Sequence, residues 1–134
     1  MIIYLPDTNV WIRHLDYRPS NAKERLAACD PDDVVMCDVV KAELYFGAFK
    51  SARPAQNLVV LQSLFDSFKS LPFDGEAARV FGKLRSDLAQ LGTPIGPLDL
   101  QIASIALVHG LILVTNNTQE FARINGLRYQ DWTD

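Results

Sequence analysis

Short runs of aliphatic and β-branched residues alternate along this chain with longer segments whose apolar residues recur at helical spacing. The clearest runs are IIYL at 2–5, VVMC at 34–37 and LILV at 111–114. Short strands that alternate with helices of ten or more residues are typical of parallel strands joined by helical crossovers. The pattern therefore predicts an α/β fold of three α/β/α layers, with helices on both faces of a mostly parallel central sheet.

Several predicted helices have a recognisable first residue. Asp7 or Thr8 can cap a helix over NVWIRHL, and Asp38 is placed to cap VVKAELYFGAFKSA. Asp74 opens the long periodic stretch GEAARVFGKLRSDLAQL, and a later helix, LDLQIASIALVHG, ends at Gly110. Further short strands are predicted in SLPF and LRYQDW.

Length and composition indicate one ordinary globular unit. The chain has 134 residues, of which 49% are hydrophobic and 22% charged. A chain of this size buries a sizeable core without disulfides or structural metals. We expect residues 1–134 to form a single domain. Pro6 and Asp7 stop the apolar start, and His109 and Gly110 interrupt the run IASIALVHGLILV. Neither a signal peptide nor a membrane span is expected, so no membrane partner is predicted.

Charge and cysteine content narrow the possible partners and the compartment. The formal net charge of −3 argues against a protein that coats nucleic acid by charge alone, although a local basic strip is still allowed. Cys29 and Cys37 are the two cysteines, and without a secretory signal they indicate buried thiols rather than a disulfide framework. The expected location is the reducing cytoplasm.

Polar residues from distant parts of the chain are predicted to meet at one edge of the sheet. Asp7 follows the first strand, Asp38 follows VVMC, and Asn117 follows LILVTN. Asp99 starts the helix that leads back into the core, and Glu43 lies one turn into the helix after VVMC. Ligands of open parallel sheets bind beyond the carboxyl ends of the strands. This edge is therefore the predicted functional site.

Carboxylates that share such a site favour a hard divalent cation. Two or three of them repel one another at neutral pH unless a counter-charge is present. Mg²⁺ is typically held by one or two carboxylates, keeps several waters and takes its other ligands from substrate phosphate. The sequence has no cluster of thiolates or histidines that would favour zinc. Phosphodiester hydrolysis is the reaction class that this arrangement predicts.

Each candidate also has a structural interpretation. Asp7 and Asp99 stand at positions where a helix cap is common, and Asn117 lies in a turn-like TNNT segment. A lone Glu43 beside Lys41 is more often a solvated helix residue. A stripe of aromatic residues follows it, and helical spacing makes that stripe more typical of a core or an interface than of a base-stacking surface. Its members are Tyr45, Phe46 and Phe49.

Four segments resemble the motifs of PIN-domain ribonucleases, specifically the VapC toxins of type II toxin-antitoxin pairs. They are PDTNVWI, KAELYFGA, GTPIGPLDLQIASIA and LVTNNTQEFARINGLRYQDW. The resemblance spans nearly the whole chain and implies a PIN-like domain with Mg²⁺- or Mn²⁺-dependent endoribonuclease activity on tRNA or mRNA. It also implies inhibition by a VapB-type antitoxin, a homodimer and a larger toxin-antitoxin assembly.

The resemblance assigns the catalytic acids residue by residue. Asp7 matches the first acid, Glu43 the second and Asp99 the third, with Asp7 and Asp99 as the principal metal ligands. Glu43 is expected to bind the metal through water or to orient the attacking water. Asn117 stands where many PIN domains have a fourth carboxylate. An amide oxygen adds no negative charge, so Asn117 is expected to be a weak ligand.

The resemblance also suggests residues that contact RNA. Thr115 and Asn116 match the small polar residues after the last core strand, and Thr8 and Arg13 flank the first acid on the following helix. All four are expected near the substrate. Further basic residues are candidates for phosphate contacts, namely Lys50, Arg53, Arg79, Lys83 and Arg85. Leu98 and Pro6 depart from the residues common in relatives, and both are expected to alter substrate fit.

Two other protein classes share parts of this pattern. A phosphate-accepting receiver domain needs paired acids after its first strand and a lysine after a late one, and LILVTNN provides no lysine. A non-catalytic PIN-fold module that acts in a DNA-binding complex with its partner is the alternative that the sequence leaves open. Asn117 is the feature that favours this alternative.

Overall fold

Parallel strands alternate with helices in the computed structural model, which describes residues 1–133. Asp134, the last residue of the predicted single domain, lies outside the described residues. The five strands are β1 (Tyr4–Pro6), β2 (Met36–Cys37), β3 (Ser70–Leu71), β4 (Ile112–Val114) and β5 (Arg128–Gln130). The α-helices are α1 (Thr8–Leu15), α2 (Asn21–Ala28), α3 (Asp38–Lys50), α4 (Pro54–Asp66), α5 (Gly75–Gln90), α6 (Pro97–His109) and α7 (Thr118–Phe121).

All the strand pairs within residues 1–133 are parallel. β1, β4 and β5 form one sheet in the order β1-β4-β5, and β2 pairs with β3. An isolated bridge between Tyr4 and Val34 joins the two, where the backbone N–H of Val35 donates to the carbonyl of Tyr4 at 3.0 Å. The predicted α/β class with a mostly parallel sheet and three layers is confirmed.

The strand register places the carboxyl ends of three strands side by side. Pro6 pairs with Val114, and Val114 pairs with Gln130. The ladder continues one residue further, because the N–H of Asp7 donates to Val114 at 2.8 Å and the N–H of Thr115 donates to Gln130 at 2.9 Å. Asp7 and Thr115 therefore leave the sheet at the same edge.

Most of the predicted helix starts are confirmed, but one is wrong. The carboxylates of Asp7 and Asp74 cap α1 and α5 by accepting from backbone N–H groups three residues later. Asp38 does not cap α3, since it is the first helical residue and Cys37 precedes the helix without a side-chain cap. The Asp38 carboxylate instead accepts a hydrogen bond from the Ser70 hydroxyl at 2.6 Å.

The buried core anchors helix α1 to the end of β1. Trp11 is fully buried, its indole N–H donates to the carbonyl of Pro6 at 3.1 Å, and its ring meets Phe68 edge-to-face at 4.9 Å. Truncating a core Trp typically costs about 3–5 kcal/mol. Because Pro6 and Trp11 are held together, the intervening Asp7 has a fixed position.

The aromatic stripe on α3 divides between the core and the surface. Tyr45 is half-buried and packs edge-to-face on Phe65 at 5.2 Å, as expected for a core residue. Phe46 and Phe49 remain exposed. Cys37 is fully buried and Cys29 half-buried, and both are free thiols. Within residues 1–133, the helices are too short or too polar to span a bilayer.

Candidate active site

Asp7 is the most buried carboxylate of the site. Its side chain is 6% exposed and accepts a hydrogen bond from the N–H of Val10 at 3.2 Å. Burial raises the pKa of Asp7, and the negative charge on Glu43 raises it further, while hydrogen bonds from Thr115 and Val10 oppose the rise. The strand end and the helix cap together place a partly desolvated carboxylate at the sheet edge.

Glu43 is held in place by a hydroxyl from a different helix. Thr8 at the start of α1 donates from its Oγ1 to Oε1 of Glu43 on α3 at 2.7 Å. The two residues are 35 positions apart in the chain. A hydrogen bond to an ionised acceptor is stronger than one between neutral groups, so this contact fixes the orientation of the Glu43 carboxylate.

Asp99 lies in the first turn of α6, which begins at Pro97 after a proline- and glycine-rich turn. Burial raises the pKa of Asp99 to about 6, and the negative charges of Glu120, Glu43 and Asp7 add to the effect. Asp99 is therefore a partly buried carboxylate whose pKa responds to three other acids. A cation beside these acids removes their mutual repulsion.

Asp7, Glu43 and Asp99 line one cavity of about 620 Å³, which we call the acid pocket. Its volume is within the range of pockets that take one small ligand. The lining consists of the acids, two polar neighbours and an apolar wall. The residues are Asp7, Thr8, Asn9, Ile12, Ala42, Glu43, Phe46, Gly47, Leu98 and Asp99.

The donor set of the acid pocket fits a hard cation that keeps part of its water shell. Its ionisable donors are carboxylate oxygens, which Mg²⁺ and Mn²⁺ prefer over softer ligands. No three Asp, Glu, His or Cys side chains within residues 1–133 are already gathered as a complete ligand group. Water and substrate phosphate would therefore supply the remaining ligands, which is the usual way in which proteins bind Mg²⁺.

Comparison with known proteins identifies the family. The PIN-domain family model matches residues 4–127. The chain belongs to the PIN-domain family. Its relatives include the tRNA(fMet)-specific endonuclease VapC of Shigella flexneri, which is 38% identical over 133 residues, covering 99% of this chain and 100% of the relative. Ribonuclease VapC1 of Haemophilus influenzae strain R2866 is 37% identical, and the match covers 98% of this chain and 99% of the relative.

Solved structures place this PIN domain among the VapC proteins. The crystal structure of DNA-bound VapBC from Salmonella typhimurium contains a chain with a TM-score of 0.90 and 37% identity, with 98% of this chain and 99% of that chain covered. A chain of VapBC-1 from nontypeable Haemophilus influenzae gives a TM-score of 0.88 at 36% identity, and the match covers 99% of this chain and 100% of that chain. The resemblance inferred from the sequence motifs is confirmed.

Glu120 is a residue of this PIN domain that sequence reasoning missed. The side-chain amide of Asn117 donates a hydrogen bond to Oε2 of Glu120, and Glu120 is the strongest of the charges that raise the pKa of Asp99. A carboxylate is thus present near the acids although Asn117 carries none. The spacing was a usable signal, because Asn117 precedes α7 directly and Glu120, three residues later, lies in the first turn of that helix.

The other predicted residues of the PIN domain have different surroundings. Thr115 is fully buried; besides contacting Asp7, its hydroxyl accepts from the N–H of Asn117 at 3.0 Å. Arg13 lies outside the acid pocket and lines a neighbouring cavity with Asp16 and Arg18. Asn116 is exposed and does not line the acid pocket. The structure therefore brings Thr8 and Thr115 to the acids, but not Arg13 or Asn116.

Proposed function

We propose that this VapC-type PIN domain is an endoribonuclease toxin that hydrolyses RNA phosphodiester bonds with Mg²⁺ or Mn²⁺ and is neutralised by a VapB-type antitoxin. The observation that carries the proposal is the acid pocket, where Asp7, Glu43 and Asp99 come together from three separate elements. We further propose that residues 1–134 act as one unit in the cytoplasm.

The carboxylates have distinct proposed roles. Asp7 and Asp99 bind the cation, and Glu43 binds it through a water or orients the attacking water and accepts its proton. A bound divalent ion supplies Lewis-acid stabilisation of the charge that develops on the phosphoryl oxygens. Glu120, held by Asn117, adds negative charge beside Asp99. Asn117 itself is at most a weak ligand through its amide oxygen.

Hydroxyl groups position the acids. Thr8 donates to Glu43, and the Thr115 hydroxyl beside Asp7 lowers the pKa of that carboxyl. We therefore assign both threonines a positioning role in addition to the predicted substrate contact. Arg13 and the exposed Asn116 remain proposed substrate contacts at the rim. Arg13 is suited to a phosphate because its guanidinium lines an open neighbouring cavity.

Transfer RNA is the first substrate class to test. Two relatives, from Shigella flexneri and Salmonella typhimurium, are named tRNA(fMet)-specific endonucleases and are 38% and 37% identical to this chain. We therefore propose tRNA(fMet) as the substrate. Because the net charge is −3, local contacts around the pocket rather than overall charge must hold the RNA.

A second cavity beside the acid pocket is suited to the antitoxin. This apolar groove, of about 410 Å³, lies between α1, α3 and α4 and shares Ile12, Glu43 and Gly47 with the acid pocket. Ile12 is 50% exposed and Val60 49%, so a partner segment laid over them buries apolar surface. From there a basic side chain can reach Glu43 and neutralise the acids.

The proposed assembly is a homodimer of this chain within a larger toxin-antitoxin complex. The solved VapBC complexes of Salmonella typhimurium and Rickettsia felis are bound to DNA. By analogy, we propose that the antitoxin brings this PIN domain to promoter DNA as well as blocking its acid pocket.

The decisive experiment is cleavage of tRNA(fMet) and of total RNA by the purified, partner-free chain. Reactions contain Mg²⁺, Mn²⁺ or a chelator, and Asp7→Asn is compared with Asp74→Asn. The two aspartates make the same kind of cap contact, to Val10 and Ala77 respectively, but only Asp7 lies in the acid pocket. Cleavage by the unaltered chain should require a divalent ion. Asp74→Asn should keep this activity, whereas Asp7→Asn should lose it.

Two results would contradict the proposal. A folded chain that cuts no RNA with either ion would favour the non-catalytic module of a DNA-binding complex. Equal cleavage by Asp7→Asn and the unaltered chain would show that the acid pocket is not the catalytic site.

A further inference from the structure

An exposed aromatic ring forms one wall of the acid pocket. Phe46 lines the pocket together with Asp7, Glu43 and Asp99, yet its side chain is 66% exposed. Leu98 and Ile12, at 47% and 50% exposed, add further apolar surface to the lining. The reaction that we propose at the carboxylates does not use these apolar groups. Ile12 also lines the groove proposed for the antitoxin, but Phe46 and Leu98 do not, so these two need a different explanation.

The ring is close to the acids for a local reason. Phe46 follows Glu43 by three residues on α3, and side chains three apart on a helix are neighbours. Lys50 lies one turn further along, and its ammonium lies over one face of the Phe46 ring, 5.6 Å from the ring centre, which leaves the opposite face for stacking. A carboxylate, an aromatic face and a cation are therefore arranged in a row along one helix.

This row matches the parts of a nucleotide. Unpaired RNA bases stack on aromatic side chains, and lysine contacts phosphate as a point charge. An aromatic face beside the acids can bind the base next to the phosphate being cut, and Lys50 can contact a neighbouring phosphate. A protein segment could cover the same ring, but Phe46 lines the acid pocket and not the apolar groove proposed for the antitoxin.

We infer that Phe46 is the stacking surface for one unpaired base adjacent to the scissile phosphate, with Lys50 contacting the next phosphate. The inference rests on the proposed ribonuclease function and adds a base-binding subsite to it. The Leu98 side chain has no hydrogen-bonding group with which to read a base edge, so the contact that we infer at this wall is stacking of an unpaired base.

The chain provides a matched control in Phe49. Its ring is 65% exposed on the same helix, it stacks on Tyr45 at 6.4 Å, and it does not line the acid pocket. Loss of the Phe49 ring removes as much exposed aromatic surface as loss of Phe46. A difference between the two variants therefore reports the pocket rather than general surface hydrophobicity.

The experiment compares Phe46→Ala, Phe46→Tyr and Phe49→Ala on a synthetic single-stranded RNA that spans the mapped cut site. Versions of this RNA with an abasic nucleotide on the 5′ or the 3′ side of the cut test whether a base is the partner. Stacking on one aromatic residue corresponds to about a 5- to 140-fold effect. Phe46→Ala should lower kcat/KM by that factor on intact RNA, whereas Phe46→Tyr and Phe49→Ala should not.

The abasic substrates provide the critical test. The unaltered chain should cut one of the two abasic RNAs as slowly as Phe46→Ala cuts intact RNA. On that abasic RNA, Phe46→Ala should cause no further loss of kcat/KM. A binding measurement independent of cleavage uses the Asp7→Asn chain and 2-aminopurine at the same nucleotide. Its fluorescence should change on binding as the base leaves its neighbours for the Phe46 ring, and Phe46→Ala in that background should abolish the change.

Three outcomes overturn the inference, and they are distinguishable. If the unaltered chain cuts no RNA, the proposed function fails as well. If Phe46→Ala cuts intact RNA at the normal rate while Asp7→Asn does not, only the base-binding subsite is wrong. If, in addition, Phe46→Ala escapes inhibition by the antitoxin, the ring is a protein contact only.

Discussion

Replacing Asp99 with asparagine should stabilise the metal-free protein at neutral pH. The pKa of Asp99 is raised from 3.8 to about 6 in the folded state, first by burial and then by Glu120, Glu43 and Asp7. Between these two pKa values the folded state binds more protons than the unfolded state, so its stability falls as the pH rises. An asparagine side chain at this position carries no charge and avoids this loss.

The size of the effect follows from the pKa shift. A rise of about two units corresponds to at most about 3 kcal/mol above pH 6, and because Asp99 is only half-buried, solvent screening reduces this to about 1–2 kcal/mol. The substitution also removes a negative charge from the first turn of α6, which costs about 0.5 kcal/mol. The net gain expected for Asp99→Asn is about 1 kcal/mol, or about 4 °C in Tm.

The assay is urea unfolding with a chelator, at pH 7.5 and in steps down to pH 4. Asp99→Asn should unfold at higher urea than the unaltered chain at pH 7.5, and the gap should close as the pH approaches 4. Mg²⁺ should stabilise the unaltered chain more than the variant. Asp38→Asn, in the first turn of α3 but outside the acid pocket, is the control and should show no gain.

One result would refute this reasoning about burial and repulsion. If Asp99→Asn is less stable than the unaltered chain at pH 7.5 without metal, the charged form of Asp99 stabilises the fold. An equal gap at pH 7.5 and pH 4 would show that the change has nothing to do with ionisation.

Three further predictions concern the surroundings of the acids. Asp7→Ala should be about 1 kcal/mol less stable than Asp7→Asn in urea unfolding, because both remove the charge but only Asn keeps the cap on α1; equal stability would contradict the capping role. Thr8→Val should lower kcat on RNA about tenfold, because it loses the hydrogen bond to Glu43. Thr8→Ser should restore the activity, and the Tm of both variants should be nearly unchanged. Burial raises the pKa of Cys37 to about 11, so at pH 8 a thiol reagent should modify Cys37 only after urea is added; rapid labelling of Cys37 in the folded chain, read by mass spectrometry, would disprove its burial.

Local patterns were sufficient to predict much of the fold. The alternation of short apolar runs with periodic segments predicted the parallel strands, and cap residues such as Asp7 and Asp74 marked helix starts because their carboxylates bond to N–H groups only three residues away. Asp38 shows the limit of that reasoning. A carboxylate before a helix resembles a cap in the sequence, but Ser70 of the neighbouring strand competes for it.

The three acids were predictable for two separate reasons. The strand-edge rule predicted that Asp7, Glu43 and Asp99 converge at one edge of the sheet, and the family motifs matched each of them to one of the three acids. Glu120 was missed because no single motif position marks it and its significance depends on its proximity to Asp99. Phe46 was assigned with its neighbours to a core or an interface, since helical spacing alone does not show whether a ring faces protein or solvent.

The sequence by itself determined which segments become strands and helices, which residues cap them and which carboxylates are available, because these depend on contacts within a few residues. Tertiary structure alone decided that Thr8 would bond to Glu43, 35 residues away, and that Phe46 would stand open beside the acids. Parallel strand register and helix packing set those distances, and both arise from burying one common core. The acids were thus encoded locally, whereas the pocket that brings them together exists only once the sheet has formed.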